Sequence, residues 1–298
     1  MRSQKKRGRR YSGINIMNKL KGLLKLLRFE LPFSAGVCIV MGQMLALGEF
    51  ASISVIVFGF MSVFLISASI LVMNDYFDVE TDKINAPHRP IPSNLVTPNE
   101  ALYFSLLLLF VGILLGYLIS FIVFLISIVL AVIGFLYNRY FKKSGLPGNL
   151  MVSFSVGMTF IYGGASVGLP FHKMVLFFGL IAALIDLGEE IAADSMDIKG
   201  DQLINSNSLA IRYGKSTALK ISGFIFFLVI LLSFVPFILN WFSIIYLVPI
   251  GIMDISIAYP AFRLLNSKNN EGRKLIRRIY LGAISGIIIF LVMRLFGI

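Results

Sequence analysis

Long runs of apolar residues, separated by short polar segments, repeat along the whole chain. Each run is close to 20 residues long, which is the length that a helix needs to cross the hydrocarbon core of a membrane. The runs lie at residues 32–50, 53–73, 101–119, 121–138, 150–170, 174–193, 217–239, 242–265 and 279–297. Gly116 and Ser120 suit a tight turn that divides 101–138 into two helices. The pattern predicts an all-α polytopic membrane protein with nine transmembrane helices.

Composition and charge agree with this prediction and add an orientation. The mean hydropathy is +0.86 and only 14% of the residues are charged, a balance that a soluble domain of this length does not keep. The net charge is +12, and residues 1–28 hold ten Lys and Arg and no acid. Basic residues also follow every second predicted span. Because cytoplasmic loops carry an excess of Lys and Arg, we expect a cytoplasmic N-terminus in the cell membrane.

The basic N-terminal segment favours a lipid partner over a nucleic acid. Residues 1–28 are expected to form a basic tail that is attracted to anionic headgroups, with an interfacial amphipathic helix from Ile14 to Leu27. Residues 29–298 are expected to form the transmembrane domain. The single cysteine, Cys38, excludes a disulfide framework or a cysteine-based metal site.

An acidic tract follows the second apolar run, in the stretch NDYFDVETDKINAPHRPIPS at residues 74–93. Asp75, Asp78 and Asp82 stand at positions i, i+3 and i+7, which places them on one face of a helix that continues the span. Glu80 points elsewhere. Stacked carboxylates repel one another, so the tract needs a compensating cation.

A second acidic tract, EEIAADSMDIKGD, repeats the same spacing more than a hundred residues later. Asp194, Asp197 and Asp201 again stand at i, i+3 and i+7, and Glu190 extends the stripe by one turn. Oxygen ligands without nearby Cys or His suit Mg²⁺, which takes one or two carboxylates and is completed by substrate phosphates. We therefore expect Mg²⁺ at both tracts and a diphosphate substrate between them.

Basic side chains near the tracts are candidates for binding phosphate oxygens directly. They are Arg89, Lys142, Lys199 and Arg212. Two other interpretations of the acids remain open. The tracts are solvated helix ends, or they belong to a cation-coupled transporter, for which Asp186 and Asp254 within predicted spans would mark an ion pathway.

The motifs resemble those of a known family. N-D-x-x-D-x-x-x-D, formed here by Asn74, Asp75, Asp78 and Asp82, followed by D-x-x-x-D at Asp197 and Asp201, is similar to the UbiA superfamily of intramembrane prenyltransferases. The wording of residues 74–93 most resembles the archaeal digeranylgeranylglyceryl phosphate synthase branch. The similarity extends along nearly the whole chain after the basic tail.

The resemblance implies a reaction and further site residues. It implies catalytic roles for Asp75, Asp78, Asp82, Asp197 and Asp201, and it implies that Tyr137, Lys142 and Asn149 in LYNRYFKKSGLPGN lie near the diphosphate. In the archaeal branch the donor is geranylgeranyl diphosphate and the acceptor is geranylgeranylglyceryl phosphate, whose own phosphate needs cations such as Arg89 with Ser93, or Lys142 with Lys143. An aromatic acceptor, as in quinone or haem synthesis, is the alternative within the superfamily. The chain departs from its relatives at Glu189, where Arg is frequent, and at Ser195-Met196, where Ile-Glu is common.

Overall fold

The computed structural model describes residues 16–203 and 205–297, without the side chains of Asn85, Lys199, Leu203 and Asn269. Most of the basic tail therefore lies outside the described residues. The described part is helical, and its α-helices are α1 (Ile16–Leu26), α2 (Glu30–Leu47), α3 (Ile53–Phe77), α4 (Val79–Asn85), α5 (Pro98–Ile119), α6 (Phe121–Leu136), α7 (Leu146–Ser166), α8 (Lys173–Met196), α9 (Ile198–Leu203), α10 (Leu209–Tyr213), α11 (Lys215–Ser233), α12 (Val235–Ile238), α13 (Leu247–Leu264) and α14 (Asn269–Leu295). A π-helical turn at Tyr137–Phe141 follows α6, and a 3₁₀ turn at Ile244–Tyr246 precedes α13.

Each predicted apolar run overlaps one of the long helices, and seven of these helices in the described part of the chain are long and apolar enough to cross a membrane. The other two are α7 and α8, which are 21 and 24 residues long. Helix α7 is rich in Gly and Ser, and α8 carries four acids, so both are less apolar than their neighbours. They pack tightly against each other, while α2 covers α7 and α11 covers α8.

Small residues allow the central helices to approach closely. A Cβ atom on Gly42 of α2 would lie 2.4 Å from the carbonyl oxygen of Phe160 in α7. A Cβ atom on Gly163 of α7 would lie 2.3 Å from the carbonyl oxygen of Ile39. Since lipid is as apolar as leucine, such close contact between backbones is a main source of helix association in membranes.

Helix α1 packs on the bundle through one face only. Leu26 is fully buried in a cluster with Val72, Ile91 and Val96, whereas Ile16 and Leu20 are exposed. An exposed apolar face of this kind fits a helix that lies at the membrane surface, which stays a prediction. Lys19 forms an ion pair with Glu100 at the start of α5.

Candidate active site

The first acidic tract is not one continuous helix, which corrects the sequence prediction. Helix α3 ends at Phe77, Asp78 occupies the junction with φ −90° and ψ 6°, and α4 begins at Val79. The backbone hydrogen bonds of Asp78 to Asn74 and of Asp82 to Asp78 nevertheless continue through the junction, at 3.0 and 2.8 Å. The carboxylates therefore remain close together although the helix axis is interrupted.

Two arginines neutralise the outer acids of this tract. Arg89 Nη1 donates to Asp82 Oδ2 at 2.6 Å and to Asp75 Oδ1 at 3.4 Å, and Arg28 donates to the same oxygen of Asp75. The side chains of Asp75 and Asp82 are only 3% and 9% exposed. Buried carboxylates of this kind require paired cations, and here the pairing fixes Arg89 between two acids. Glu80 instead faces outward and pairs with Lys83, as expected.

The middle acid of the tract is held by residues from the end of α6. Lys142 forms an ion pair with Asp78. The amide of Asn74 lies 2.9 Å from Lys142 Nζ and 3.2 Å from Asp78 Oδ2, so its oxygen can accept from the lysine while its nitrogen donates to the aspartate. Lys142 stands directly after the π-helical turn, a feature that often re-aims side chains at functional sites. Asn138 within that turn is fixed to the carbonyl oxygen of Ile70 at 3.1 Å.

The second acidic tract has the same break at the same position. Helix α8 ends at Met196, Asp197 occupies the junction with φ −111° and ψ 13°, and α9 follows. Asp194 accepts a hydrogen bond from Asn149 Nδ2 at 3.0 Å, and Asp197 pairs with Arg273 of α14. Asp201 has a buried oxygen without a hydrogen-bond partner, and burial together with the charge of Asp194 raises the pKa of Asp201 to about 6.

These donors fit Mg²⁺. They are carboxylate oxygens, and the buried unpartnered oxygen of Asp201 is available to a ligand. Within the described residues no three acidic, His or Cys side chains already form a complete metal cage. Because Mg²⁺ keeps waters and takes only one or two carboxylates besides substrate phosphates, a complete cage is not required.

The two tracts border one cavity of about 1290 Å³. Its mouth is polar and its walls deeper in the bundle are apolar. The predicted site residues that line it are Asn74, Asp78, Asp82, Arg89, Tyr137, Lys142, Glu190, Asp197 and Asp201. The apolar lining includes Val63, Ile66, Leu130, Ile133, Phe160, Ile181, Met253 and Phe290. This arrangement matches a ligand with a charged head and a long apolar chain.

Other predicted residues lie behind the lining or away from it. Asp75 and Asp194 are not lining residues; Asp75 pairs with Arg89, which lines the cavity, and Asp194 accepts a hydrogen bond from Asn149. Asn149 likewise acts on Asp194 and does not line the cavity. Ser93 is exposed and donates to the carbonyl oxygen of Pro90, and Arg212 is exposed with its guanidinium over the ring of Tyr213. The side chain of Lys199 lies outside the described part.

Several lining residues were missed by sequence reasoning. Arg28 was counted with the basic tail, and Arg273 was one of many basic residues in the loop after span eight. Both contact acids that are distant in sequence, so no local spacing indicates them. Asp186 and Glu189 of α8, which sequence reasoning considers only for an ion pathway and as a departure from relatives respectively, also line the cavity, and Asp186 accepts from Ser153 Oγ at 3.0 Å. The exposed His88 lies at the rim.

Comparisons with known proteins agree on one family. The profile described as the UbiA prenyltransferase family matches residues 35–282. Digeranylgeranylglyceryl phosphate synthase of Methanococcus aeolicus is 35% identical over 254 residues, which cover 85% of this chain and 90% of that protein.

Two solved structures share the fold. One, from work on digeranylgeranylglyceryl phosphate synthase in membranes, has a TM-score of 0.73 and 32% identity, and the match covers 92% of this chain and 98% of that one. A UbiA homologue from Archaeoglobus fulgidus, bound to GPP and Mg²⁺, has a TM-score of 0.63 and 16% identity over 89% of this chain and 98% of that one. The chain is thus an enzyme of the UbiA prenyltransferase family.

Proposed function

We propose that the protein transfers the geranylgeranyl group of geranylgeranyl diphosphate to the hydroxyl of geranylgeranylglyceryl phosphate, with Mg²⁺ as cofactor. The product is digeranylgeranylglyceryl phosphate, a precursor of archaeal membrane lipids. The observation that carries this proposal is the single cavity in which two acidic tracts and their cations lead directly into apolar walls. The relatives that bear the synthase name support the choice of acceptor.

The mouth of the cavity has the groups that a diphosphate needs. Arg89 and Lys142 line it and supply donors to phosphate oxygens, and their pairing with Asp82 and Asp78 holds them in place before substrate arrives. The carboxylates Asp78, Asp82, Asp197 and Asp201 are the groups that would hold Mg²⁺. When bound, Mg²⁺ adds positive charge that stabilises the leaving diphosphate. The homologue bound to GPP and Mg²⁺ supports this assignment.

The apolar walls explain why the reaction takes place inside a helical bundle. As the allylic carbon–oxygen bond of the donor breaks, its electron pair leaves with the diphosphate and the carbon becomes cationic. The hydroxyl oxygen of the acceptor then forms the new ether bond and gives its proton to an oxygen of the released diphosphate or of a carboxylate at the mouth. Water would compete with the acceptor for the cationic carbon. The apolar side chains of Ile66, Leu130, Ile133 and Met253 keep water out of the deeper part of the cavity.

The position of the site also supports a membrane orientation. We infer nine membrane-crossing helices, including α7 and α8, with the N-terminus and the cavity mouth on the cytoplasmic side. The basic loops that follow every second span support this orientation. Because Cys38 is the single cysteine, a Cys38→Ala background allows an accessibility test with a membrane-impermeant maleimide. A cysteine at Ser93 should react only from the cytoplasmic side, and one at Gly168 only from the opposite side.

Variants of the acids test the reaction itself. Purified protein would be given geranylgeranyl diphosphate and geranylgeranylglyceryl phosphate with Mg²⁺. Formation of the diether product, digeranylgeranylglyceryl phosphate, would be measured for the wild type, Asp78→Asn, Asp201→Asn and the control Glu80→Gln. Glu80 belongs to the same tract but its side chain is 85% exposed and pairs with Lys83. We expect a loss of at least about 100-fold in both Asp variants, as for other electrostatic groups at reaction centres, and wild-type activity in the control. Full activity in Asp78→Asn and Asp201→Asn would refute the assignment.

A further inference from the structure

The cavity has a wall whose role the reaction outlined above leaves open, and it is formed by α14. Most of its lining residues are three, four or seven positions apart, so they share one face of the helix. They are Asn270, Arg273, Tyr280, Ala283, Ile284, Gly286, Ile287 and Phe290. From Arg273 to Phe290 the helix rises by about 26 Å at 1.5 Å per residue. This face therefore presents a cation at the mouth and an apolar surface below it.

A second wall of the same design is formed by α3. Its lining residues also follow a helical spacing, from Val63, Ile66 and Ile70 in the apolar part to Asn74 and Asp78 at the mouth. This wall leads to the first acidic tract. The stripes on α3 and α14 thus each join the polar mouth to an apolar surface, and α2, α7 and α8 also line the cavity.

The cations at the mouth are divided between the two stripes. Arg28, Arg89 and Lys142 pair with acids of the first tract. Among the described side chains, Arg273 is the cation that pairs with an acid of the second tract, Asp197. The α14 stripe therefore has its own cationic head, separate from the three cations beside α3.

Arg273 is available to a ligand. A guanidinium has five N–H donors in a planar fork that matches phosphate, and the described contacts of Arg273 use only a bond to Asp197. The side chains of Arg273 and Asp197 are 59% and 51% exposed. Ion pairs with this exposure contribute little to stability, so an incoming phosphate can share or replace the carboxylate at small cost.

We propose that Arg273 binds the phosphate of the acceptor and that the apolar face of α14 holds the acceptor's isoprenoid chain, while the donor lies along α3. This inference rests on the proposed function, because only that reaction brings two phosphorylated isoprenoids into one cavity. It assigns to Arg273 the selection of a phosphorylated acceptor over the same lipid without phosphate. Arg273 is a binding residue in this account and takes no part in bond breaking.

The experiment measures equilibrium binding in the presence of EDTA, so that no turnover occurs. Geranylgeranylglyceryl phosphate, geranylgeranylglycerol and geranylgeranyl diphosphate would each be titrated by calorimetry against wild type, Arg273→Gln, Arg273→Lys and Arg277→Gln. Arg277 is the matched control, since it lies one turn further along α14, pairs with Glu30 at 2.9 Å and does not line the cavity. Thermal unfolding of each variant verifies that it is folded.

We expect Arg273→Gln to weaken binding of geranylgeranylglyceryl phosphate by about 10- to 100-fold, the usual effect of losing a charged hydrogen bond. The affinity for geranylgeranylglycerol and for geranylgeranyl diphosphate should change by less than about threefold, because neither ligand makes the charged hydrogen bond to Arg273. Arg273→Lys should fall between Arg273→Gln and the wild type because it keeps the charge and loses the fork. Arg277→Gln should bind all three lipids as the wild type does.

Two results would overturn the assignment. One is an Arg273→Gln variant that keeps the wild-type preference for the phosphorylated acceptor. The other is a variant that loses affinity for geranylgeranyl diphosphate as strongly as for the acceptor phosphate. Failure of the proposed function looks different: the wild type itself then forms no diether and does not distinguish geranylgeranylglyceryl phosphate from geranylgeranylglycerol.

Discussion

The bridge that Arg89 makes between two buried acids allows a quantitative prediction. In Arg89→Gln, Asp75 keeps Arg28 as its partner, whereas Asp82 loses the cation that lies 2.6 Å away. Removing one member of a buried pair costs about 3–5 kcal/mol because the other charge stays buried. Arg89 is 32% exposed, so water compensates for part of this loss. We expect Arg89→Gln to lower the free energy of unfolding by about 2 kcal/mol, close to the value of one charged hydrogen bond.

Thermal unfolding in a fixed detergent measures this effect. A loss of about 2 kcal/mol lowers the Tm of a chain of this size by about 3 °C. Lys83→Gln is the control, because Lys83 pairs with Glu80 at 2.6 Å in the same tract but both side chains are more than half exposed. Exposed pairs contribute about 0.5 kcal/mol or less, so Lys83→Gln should lower the Tm by no more than about 1 °C.

A double-mutant cycle separates the pair from its surroundings. Arg89→Gln and Asp82→Asn should each destabilise the protein, and the double variant should lose less than the sum of the two, with a coupling energy of about 1–2 kcal/mol. Diether formation should stay low in the double variant, because the diphosphate has lost Arg89. Additive losses of stability in the double variant would contradict the claim that Arg89 and Asp82 form a stabilising buried pair. An Arg89→Gln variant as stable as Lys83→Gln would contradict it too.

Three further predictions concern the phosphate site, the metal and the helix packing. Lys142→Met should lower kcat/KM for diether formation by about 100-fold or more. The control Arg139→Met removes a cation that lies in the adjacent π-helical turn and does not line the cavity, so it should lower kcat/KM by less than about tenfold. Similar losses in both variants would show that only net charge matters. EDTA should abolish prenyl transfer, and added Mg²⁺ should restore it. The Tm should not change on EDTA treatment, because the described residues contain no complete metal cage that supports the fold. A large fall in Tm would indicate a structural metal. Gly42→Ala should lower the free energy of unfolding by about 1–3 kcal/mol, because the added methyl group forces α2 away from α7. Gly251→Ala, in open space on α13, should leave the protein equally or more stable. Equal losses of stability in the two variants would contradict the close packing of α2 on α7.

The sequence predicts the helices well because their signal is local. Each apolar run overlaps one of the long helices among the described residues, and the main differences are at helix ends. Helix α7 begins at Leu146, four residues before the predicted run, because Pro147 suits the first turn of a helix. The repeated i, i+3, i+7 spacing predicts carboxylates on one helical face, and the backbone hydrogen bonds do continue through both junctions. Each helix is nevertheless interrupted there, and Asp75 and Asp194 do not line the cavity that Asp78, Asp82, Asp197 and Asp201 line.

The site is less predictable because its contacts join distant parts of the chain. Arg28 and Asp75 are 47 residues apart, and Arg273 and Asp197 are 76 apart. Basic residues at the membrane boundary can determine the membrane orientation or bind a ligand, and the neighbouring sequence does not distinguish the two roles. For the same reason Arg212 and Ser93 were as plausible as Arg273 in the sequence, although only Arg273 lines the cavity.

The most direct test of the proposed function is a competition between acceptors. Purified protein would receive geranylgeranyl diphosphate, Mg²⁺ and equal amounts of geranylgeranylglyceryl phosphate and 4-hydroxybenzoate, and the products would be identified by mass spectrometry. We expect digeranylgeranylglyceryl phosphate as the dominant product, and no product when Mg²⁺ is removed. Prenylated 4-hydroxybenzoate as the dominant product, or the absence of both products from folded protein, would contradict the proposed function.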